Sequence, residues 1–252
     1  MIPRKFKNTC VACGAIGAKM NKEHFWPQWL IERTGTHRTA VRFTTQQRIN
    51  PKSLVVPLCV KCNTDFGREL ESPASYIFNE LEAGRGISDY DAELLIRWLW
   101  KFEGLYWSFS HPSDNYSDRY TVRDRVLNPI DDIRERLILA VSLVEGIDPT
   151  FGDAPMGIDS WNENCAIFVS GVFSRVALMV LDSQFEKNVP PQFSIYRPAK
   201  QNAAERSAKL FFPKFGFRDC TEAVVVTKDA SMYLSYAHDL VARTSAHGRP
   251  AL

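Results

Sequence analysis

Two pairs of cysteines carry the clearest chemistry in this sequence. Cys10 and Cys13 form one CxxC pair, and Cys59 and Cys62 form a second. Each pair turns two thiolates toward one point, and four thiolates complete the tetrahedral coordination of a closed zinc site. We therefore predict that these four cysteines bind one structural Zn²⁺, which holds the chain together and takes no part in a reaction.

A different set of donors lies beside the cysteines. Glu23 and His24 are adjacent, and Asn63 directly follows Cys62. Because Pro27 disfavours a helix through Glu23 and His24, we expect a strand or turn there. A zinc ion that joins the two cysteine pairs would bring Asn63 toward this strand. The competing interpretations are that His24 is a structural or surface histidine and that Asn63 only caps the helix that it opens.

The charge is unevenly distributed along the chain. Residues 1–70 contain twelve Lys or Arg against four Asp or Glu, a net charge of +8, whereas the whole chain carries +2. Such a basic region predicts contact with a polyanion, and nucleic acid is the expected partner. The candidate phosphate contacts are Lys19, Lys22, Arg38, Arg42 and Arg48. The alternative is that the basic residues only offset the negative charge of the zinc thiolates.

The motifs resemble those of a known family. A CxxC ahead of an acid-His pair, and a second CxxC followed at once by Asn, are similar to the zinc-bound branch of the HNH, or ββα-metal, endonucleases, including phage junction-resolving nucleases. The chain also resembles bacterial and phage proteins with an EHxxPxWL segment, a CxxCN segment and a helix that ends in Leu-Glu. Here these are residues 23–30, residues 59–63 and Leu70-Glu71. The resemblance covers residues 10–71.

The resemblance implies a β-hairpin followed by a helix, which together hold one divalent cation against a scissile phosphate. It implies that His24 is the general base, which takes a proton from the attacking water. It also implies that Glu23 and Asn63 hold Mg²⁺ or Mn²⁺ through oxygen ligands, at a site separate from the zinc. The expected activity is the hydrolysis of phosphodiester bonds, in DNA rather than RNA.

Two other function classes stay open. The first is a non-catalytic, zinc-bound nucleic-acid binder. The second is a protein-interaction module in which zinc only folds the scaffold. Three departures from the family pattern favour these classes. Glu23 stands where Asp is commoner, Asn50 is the nearest candidate for a middle asparagine, and Phe66 stands where an acid is expected, with Asp65 and Glu69 close by.

The rest of the chain predicts helices and strands without a recognisable ligand motif. Ser88 and Asp91 form a capping-box pattern ahead of an amphipathic helix. A second helix is expected to begin at Asn128 and to end at residue 146, and Asp229 is expected to cap a last helix. The strand candidates are residues 165–169, 172–181, 193–196, 209–212 and 223–227.

The expected fold class is α+β, in two modules. Residues 1–72 would form the zinc-bound, HNH-like module. Residues 73–252 would form a mixed helical and antiparallel-β module that is helical over 73–146, β-rich over 160–228 and closed by a terminal helix. A homodimer contact or a protein partner would use this second module.

The composition indicates a soluble globular protein, with 45% hydrophobic and 24% charged residues. We expect it in the cytoplasm, because no apolar run is long enough for a membrane helix and the first residues do not resemble a signal peptide. In a reducing compartment, Cys165 and Cys220 are expected to be buried apolar residues.

Overall fold

The structure, a computed structural model, describes residues 8–36, 41–42, 48–110, 121–130, 134–148, 156–158, 168–198 and 210–247. The chain passes from β1 (Met20–His24) through α1 (Gln28–Arg33), the short strands β2 (Val41–Arg42) and β3 (Arg48–Ile49) and a 3₁₀ turn (Pro51–Ser53) to β4 (Val55–Cys59). β4 pairs antiparallel with β1, so that Met20 lies opposite Cys59 and His24 lies opposite Val55. The extended conformation predicted at Glu23 and His24 is confirmed.

A long helical stretch follows β4 directly. It comprises α2 (Val60–Phe66), a π-helical turn (Gly67–Glu71) and α3 (Ser72–Glu82). Pro73 lies at the start of α3, where its missing N–H is tolerated, so the chain stays helical across it. The helix α4 (Asp89–Ser110) begins with the capping box predicted for Ser88 and Asp91. It is followed by the short helix α5 (Val122–Leu127).

A six-stranded sheet forms the C-terminal part. Its strands are β5 (Leu137–Val144), β6 (Met156–Ile158), β7 (Phe168–Phe173), β8 (Val176–Asp182), β9 (Ser194–Tyr196) and β10 (Phe215–Phe217). β5, β8, β7 and β6 are antiparallel neighbours in this order, while the other edge of β5 pairs antiparallel with β9 and parallel with β10. The last helix is α6 (Cys220–His247). The protein is therefore mixed α+β with antiparallel sheets.

Both faces of this sheet are covered. Along β5, Leu139 and Val141 belong to the core shared with α4, whereas Ile138 and Ala140 belong to the core under α6. Alternate residues of a strand point to opposite faces, so a strand that is covered on both sides must be apolar almost throughout. All eight residues of β5 are buried for this reason.

The helix predicted from Asn128 to residue 146 is wrong. Residues Arg134–Arg136 form a 3₁₀ turn, and β5 occupies the positions that were expected to continue the helix. Leu137, Val141 and Val144 have helical spacing, but the residues between them are almost all apolar as well. A continuous apolar run is typical of a strand buried on two faces, and this pattern outweighs the apparent helical period.

The strand predicted at residues 223–227 is also wrong, because α6 begins at Cys220, before the predicted cap at Asp229. Ala223 and Thr227 are buried and four residues apart, while Val225 is 52% exposed, so the segment has a helical period. Cys220 is only partly buried, against expectation, and its sulfur lies 2.9 Å from the backbone oxygen of Asp148.

The other strand predictions are confirmed in part. β9 falls within the predicted range 193–196. The range 172–181 is wrong as a single strand, because a turn at residues 174–175 divides it between β7, which begins in the predicted range 165–169, and β8. Residues 209–212 contribute an isolated bridge between Phe211 and Ile87. Cys165 lies outside the described residues.

One core crosses residue 72, the predicted module boundary. Buried residues from Cys10 to Val180 form a single hydrophobic cluster. Within it, the ring of Phe102 on α4 lies 6.0 Å from that of Phe25, which follows β1, and 5.4 Å from that of Phe173 on β7. The division into two modules stays a prediction, but the packing joins the two parts. None of the helices in the described ranges is long and apolar enough to cross a membrane.

Candidate metal centre and adjoining cleft

Four cysteine sulfurs converge near the N-terminus. The Sγ atoms of Cys10, Cys13, Cys59 and Cys62 all lie within 4.8 Å of one another, and those of Cys13 and Cys59 are 3.9 Å apart. Zinc-sulfur bonds of about 2.3 Å in a tetrahedron put neighbouring sulfurs about 3.8 Å apart. The four cysteines are therefore placed to hold a metal ion such as zinc, as predicted.

Backbone geometry brings the two cysteine pairs together. Gly14, with a φ of +71°, allows the tight turn that closes the first pair. The amide of Val11 donates to the carbonyl of Pro57 at 3.0 Å, which docks the first pair on the strand that leads to the second. Cys59 is the N-cap of α2, and its sulfur accepts from the amide of Cys62 at 3.4 Å. The second pair is thus fixed by the start of a helix.

An arginine from α5 contacts this four-cysteine cluster. Arg123 Nη1 donates to the sulfur of Cys62 at 3.4 Å, Nη2 forms an ion pair with Asp65, and the Arg123 amide donates to the carbonyl of Ala12 at 2.8 Å. A guanidinium beside a thiolate stabilises the charged form of the sulfur. Arg123, together with Lys61, also lowers the pKa of Asp65.

The thiols of the cluster differ in their acidity. The hydrogen bond with Cys62, helped by nearby backbone amides, outweighs burial and lowers the pKa of Cys10 to about 4. The same hydrogen bond, together with burial, raises the pKa of Cys62. Cys10 therefore ionises readily while Cys62 keeps its proton, and a bound metal ion would replace that proton.

A cleft of about 580 Å³ lies beside the hairpin. It is lined by residues of β1, α1, the π-helical turn and α3, namely Lys22, Glu23, His24, Pro27, Gln28, Trp29, Gly67, Glu71, Ser72 and Ser75. The structure thus places Glu23 and His24 in one cleft. Asn63 is not among these lining residues, and it is not the cap of α2 either, since Cys59 holds that position.

A buried lysine joins two carboxylates of the cleft. Lys101 Nζ lies 2.5 Å from Glu71 Oε1 and 3.1 Å from Glu23 Oε1. The side chain of Lys101 is fully buried, whereas those of Glu71 and Glu23 are 11% and 19% exposed. Burial lowers the pKa of Lys101, but the two carboxylates outweigh this effect and raise it, so the ammonium stays charged.

Two indoles fix Glu71 from the other side. Trp29 Nε1 and Trp98 Nε1 donate to Glu71 Oε2 at 3.1 and 3.0 Å. Both oxygens of Glu71 are therefore engaged, one by the ammonium and one by the indoles. Three donors therefore satisfy the two oxygens of Glu71.

Some of the predicted phosphate contacts can be placed. Lys19 and Lys22 are exposed, and Lys22 lines the cleft. The backbones of Arg42 and Arg48 pair in the β2–β3 ribbon, but their side chains lie outside the described part of the chain, as does all of Arg38. The roles predicted for these residues, and for Glu23, His24 and Asn63, stay predictions.

Reasoning from the sequence missed Arg123 and Lys101. Lys101 lies three residues after Trp98 and four before Leu105, on the apolar face of α4. A charged residue at such a position is a detectable signal for a buried ion pair. Glu71 appeared only as the end of the Leu-Glu pattern. Arg123 carries no such signal, because nothing in the sequence shows that α5 packs on the cysteines.

No family model, curated protein or solved structure that was compared with the chain matches it.

Proposed function

We propose that the chain is an HNH-type endonuclease, which hydrolyses phosphodiester bonds in nucleic acid, in DNA rather than RNA. The observation that supports this proposal is the cleft that holds Lys22, Glu23 and His24 beside the four-cysteine cluster. All three residues lie on β1, which pairs antiparallel with β4, and α2 follows β4 directly. The excess of Lys and Arg in residues 1–70 supplies attraction for a polyanion.

In the proposed reaction, His24 takes a proton from the water that attacks the phosphorus. A partly exposed imidazole at the cleft suits this task, because an imidazole nitrogen can accept a proton from a nearby water. Lys22, which is exposed in the same cleft, would contact a phosphate oxygen. Zinc in the cysteine cluster would hold the hairpin and helix in place without taking part in the chemistry.

The Mg²⁺ or Mn²⁺ implied by the family resemblance fits this cleft less well. Its ligands would be Glu23 and Asn63. Glu23 is already paired with Lys101, and Asn63 does not line the cleft. These two residues therefore do not form a ready site for a divalent cation.

The test is cleavage of plasmid DNA by the purified protein with Mg²⁺ or Mn²⁺. We expect His24→Ala to abolish nicking while it leaves the thermal unfolding temperature within a few degrees of that of the wild type. His238→Ala is the matched control, since it removes a histidine from α6, and none of the described side chains of α6 lines the cleft. Equal products from wild type and His24→Ala would refute the catalytic assignment.

A second candidate function is a non-catalytic nucleic-acid binder, and the ion pairs favour it. Lys101 forms an ion pair with Glu23, while the acids near Phe66 are also paired, Asp65 with Arg123 and Glu69 with Arg68. This function predicts DNA binding that weakens as salt rises, without cleavage at any divalent metal. A gel-shift titration of wild type and Lys22→Met at several salt concentrations separates it from a protein-interaction module, which binds no DNA.

A further inference from the structure

We propose that Lys101 is the resident cation of the Glu23–Glu71 pair, and that its ammonium occupies a position that a divalent cation would otherwise take. The inference concerns the cleft of the proposed function, but it does not require that the chain cleave nucleic acid. On this inference the two carboxylates could serve as oxygen ligands for a cation, but the ammonium of Lys101 already occupies the position between them.

The distances support this assignment. Because Lys101 Nζ is 2.5 Å from one carboxylate oxygen and 3.1 Å from the other, the two oxygens are at most 5.6 Å apart. Two oxygen ligands on one Mg²⁺, Mn²⁺ or Ca²⁺ ion lie up to about 5 Å apart, since each bond is about 2.0–2.6 Å. A small shift of Glu23, the more exposed partner, would let both carboxylates reach one ion.

The surroundings keep the ammonium between the carboxylates. Lys101 is fully buried, and Glu71 is held in place by the indoles of Trp29 and Trp98. The ammonium cannot move into water without breaking both ion pairs. Phe66 provides a further contact, with Lys101 Nζ 5.6 Å from the centre of its ring.

The charges give the direction of the expected effect. Glu23, Glu71 and Lys101 together carry −1, and removal of the ammonium leaves −2 at the wall of an open cleft. Two unpaired, partly buried carboxylates repel each other and destabilise the fold. A divalent cation that entered from the cleft would cancel both charges, so a variant without the ammonium should bind such an ion and be stabilised by it.

The experiment measures metal binding in the zinc-loaded protein. Lys101→Met removes the ammonium and keeps a long, flexible side chain. Without Mn²⁺ we expect it to unfold at a lower temperature than the wild type, and millimolar Mn²⁺ should raise its Tm by about 5 °C or more. Titration by Mn²⁺ electron paramagnetic resonance should show at least about tenfold tighter binding than in the wild type.

Two further variants isolate the carboxylate pair. Lys22→Met removes one positive charge from the same cleft, but from an exposed lysine, and should leave both Mn²⁺ affinity and the response of Tm to Mn²⁺ close to those of the wild type. The double variant Lys101→Met with Glu23→Gln removes one ligand of the new site and should lose the gain in affinity. If Lys22→Met gains as much as Lys101→Met, general charge in the cleft is responsible and the proposal is wrong.

The Met side chain of Lys101→Met fills much of the space of the lysine, so a second, smaller substitution is needed. Lys101→Ala leaves room for a hydrated ion and should show the same Mn²⁺-dependent rise in Tm. If neither variant gains stability from Mn²⁺, whether or not it is folded without the metal, the proposal is overturned. Cleavage assays on the wild type test the proposed function separately. If Mn²⁺ stabilises the Lys101 variants but the wild type has no nuclease activity, only the proposed function is refuted. If cleavage depends on His24 but Mn²⁺ does not stabilise the variants, only this inference is refuted.

Discussion

The four-cysteine cluster and the carboxylate pair of the cleft each include a residue of the paired strands β1 and β4, and they differ in how their charge is balanced. Arg123 contacts one of the four sulfurs. Lys101 contacts both carboxylates. A single arginine leaves most of the charge of four thiolates to be balanced by a metal ion, whereas the lysine balances half of the charge of the carboxylates.

This difference shows that the kind of donor alone does not identify a metal site. Both groups have donors at suitable distances, but among the described residues no cation lies between the cysteine sulfurs in the way that Lys101 lies between the carboxylates. A set of ligands can bind a metal ion readily when few basic side chains already balance its negative charge. A set that is already paired with an internal cation cannot. The largest effect of breaking either group is expected at the cysteines.

Loss of the zinc site should unfold the N-terminal hairpin and the cleft together. We expect Cys62→Ser to lower Tm by more than about 10 °C and to remove the bound metal, because structural zinc contributes directly to folding. The measurements are thermal unfolding by circular dichroism and metal content by mass spectrometry. Cys220→Ser is the control: its hydroxyl can still donate to the carbonyl of Asp148, so one zinc per chain and a nearly unchanged Tm are expected.

Truncation of Phe173 should show whether the two halves of the chain unfold as one. The ring of Phe173 on β7 packs on those of Trp98 and Phe102, so Phe173→Ala should cost about 3–5 kcal/mol. Because the core is continuous, release of zinc and loss of helical signal should occur at the same urea concentration. Phe212→Ala, at a position that is 62% exposed, should cost far less. Zinc release at a different urea concentration from the loss of the helices would support two modules instead.

Local patterns predicted the parts of the fold that depend on neighbouring residues. The CxxC spacing identified all four sulfurs that converge, and Ser88 with Asp91 identified the start of α4. The proline after His24 located the extended conformation of β1. Each of these features is fixed by chemistry within a few residues, so the sequence contains the information.

The features that the sequence did not predict depend on tertiary contacts. Leu137 and its successors form a strand because helices cover both faces of the sheet, which no local pattern shows. The engagement of Glu23 depends on Lys101, which lies 78 residues away in sequence and reaches Glu23 only in the folded chain. A candidate ligand is visible in the sequence, but its internal counter-ion is not.

Substitution of Arg123 should weaken metal binding by the cysteine cluster. Arg123→Met removes the hydrogen bond to Cys62 and the ion pair to Asp65, and should lower zinc affinity by about 10–100-fold, because partners of metal ligands orient and stabilise them. Competition with a zinc-binding dye gives the affinity. Lys61→Met is the matched control, since Lys61 shares Asp65 as a partner and is 75% exposed. An equal loss in both variants would mean that Asp65, and not the thiolate contact, is responsible.

The smallest effect concerns the helix that carries Arg123. Thr121 and Asp124 form the capping box of α5, and Thr121→Ala should cost about 1 kcal/mol. If the start of α5 positions the guanidinium, zinc affinity should also fall, by less than in Arg123→Met. Ser88→Ala removes the equivalent cap from α4 and should cost similar stability without a change in zinc affinity. Equal zinc affinities in the two cap variants would show that the backbone contact between Arg123 and Ala12 is enough to hold the arginine at the cluster.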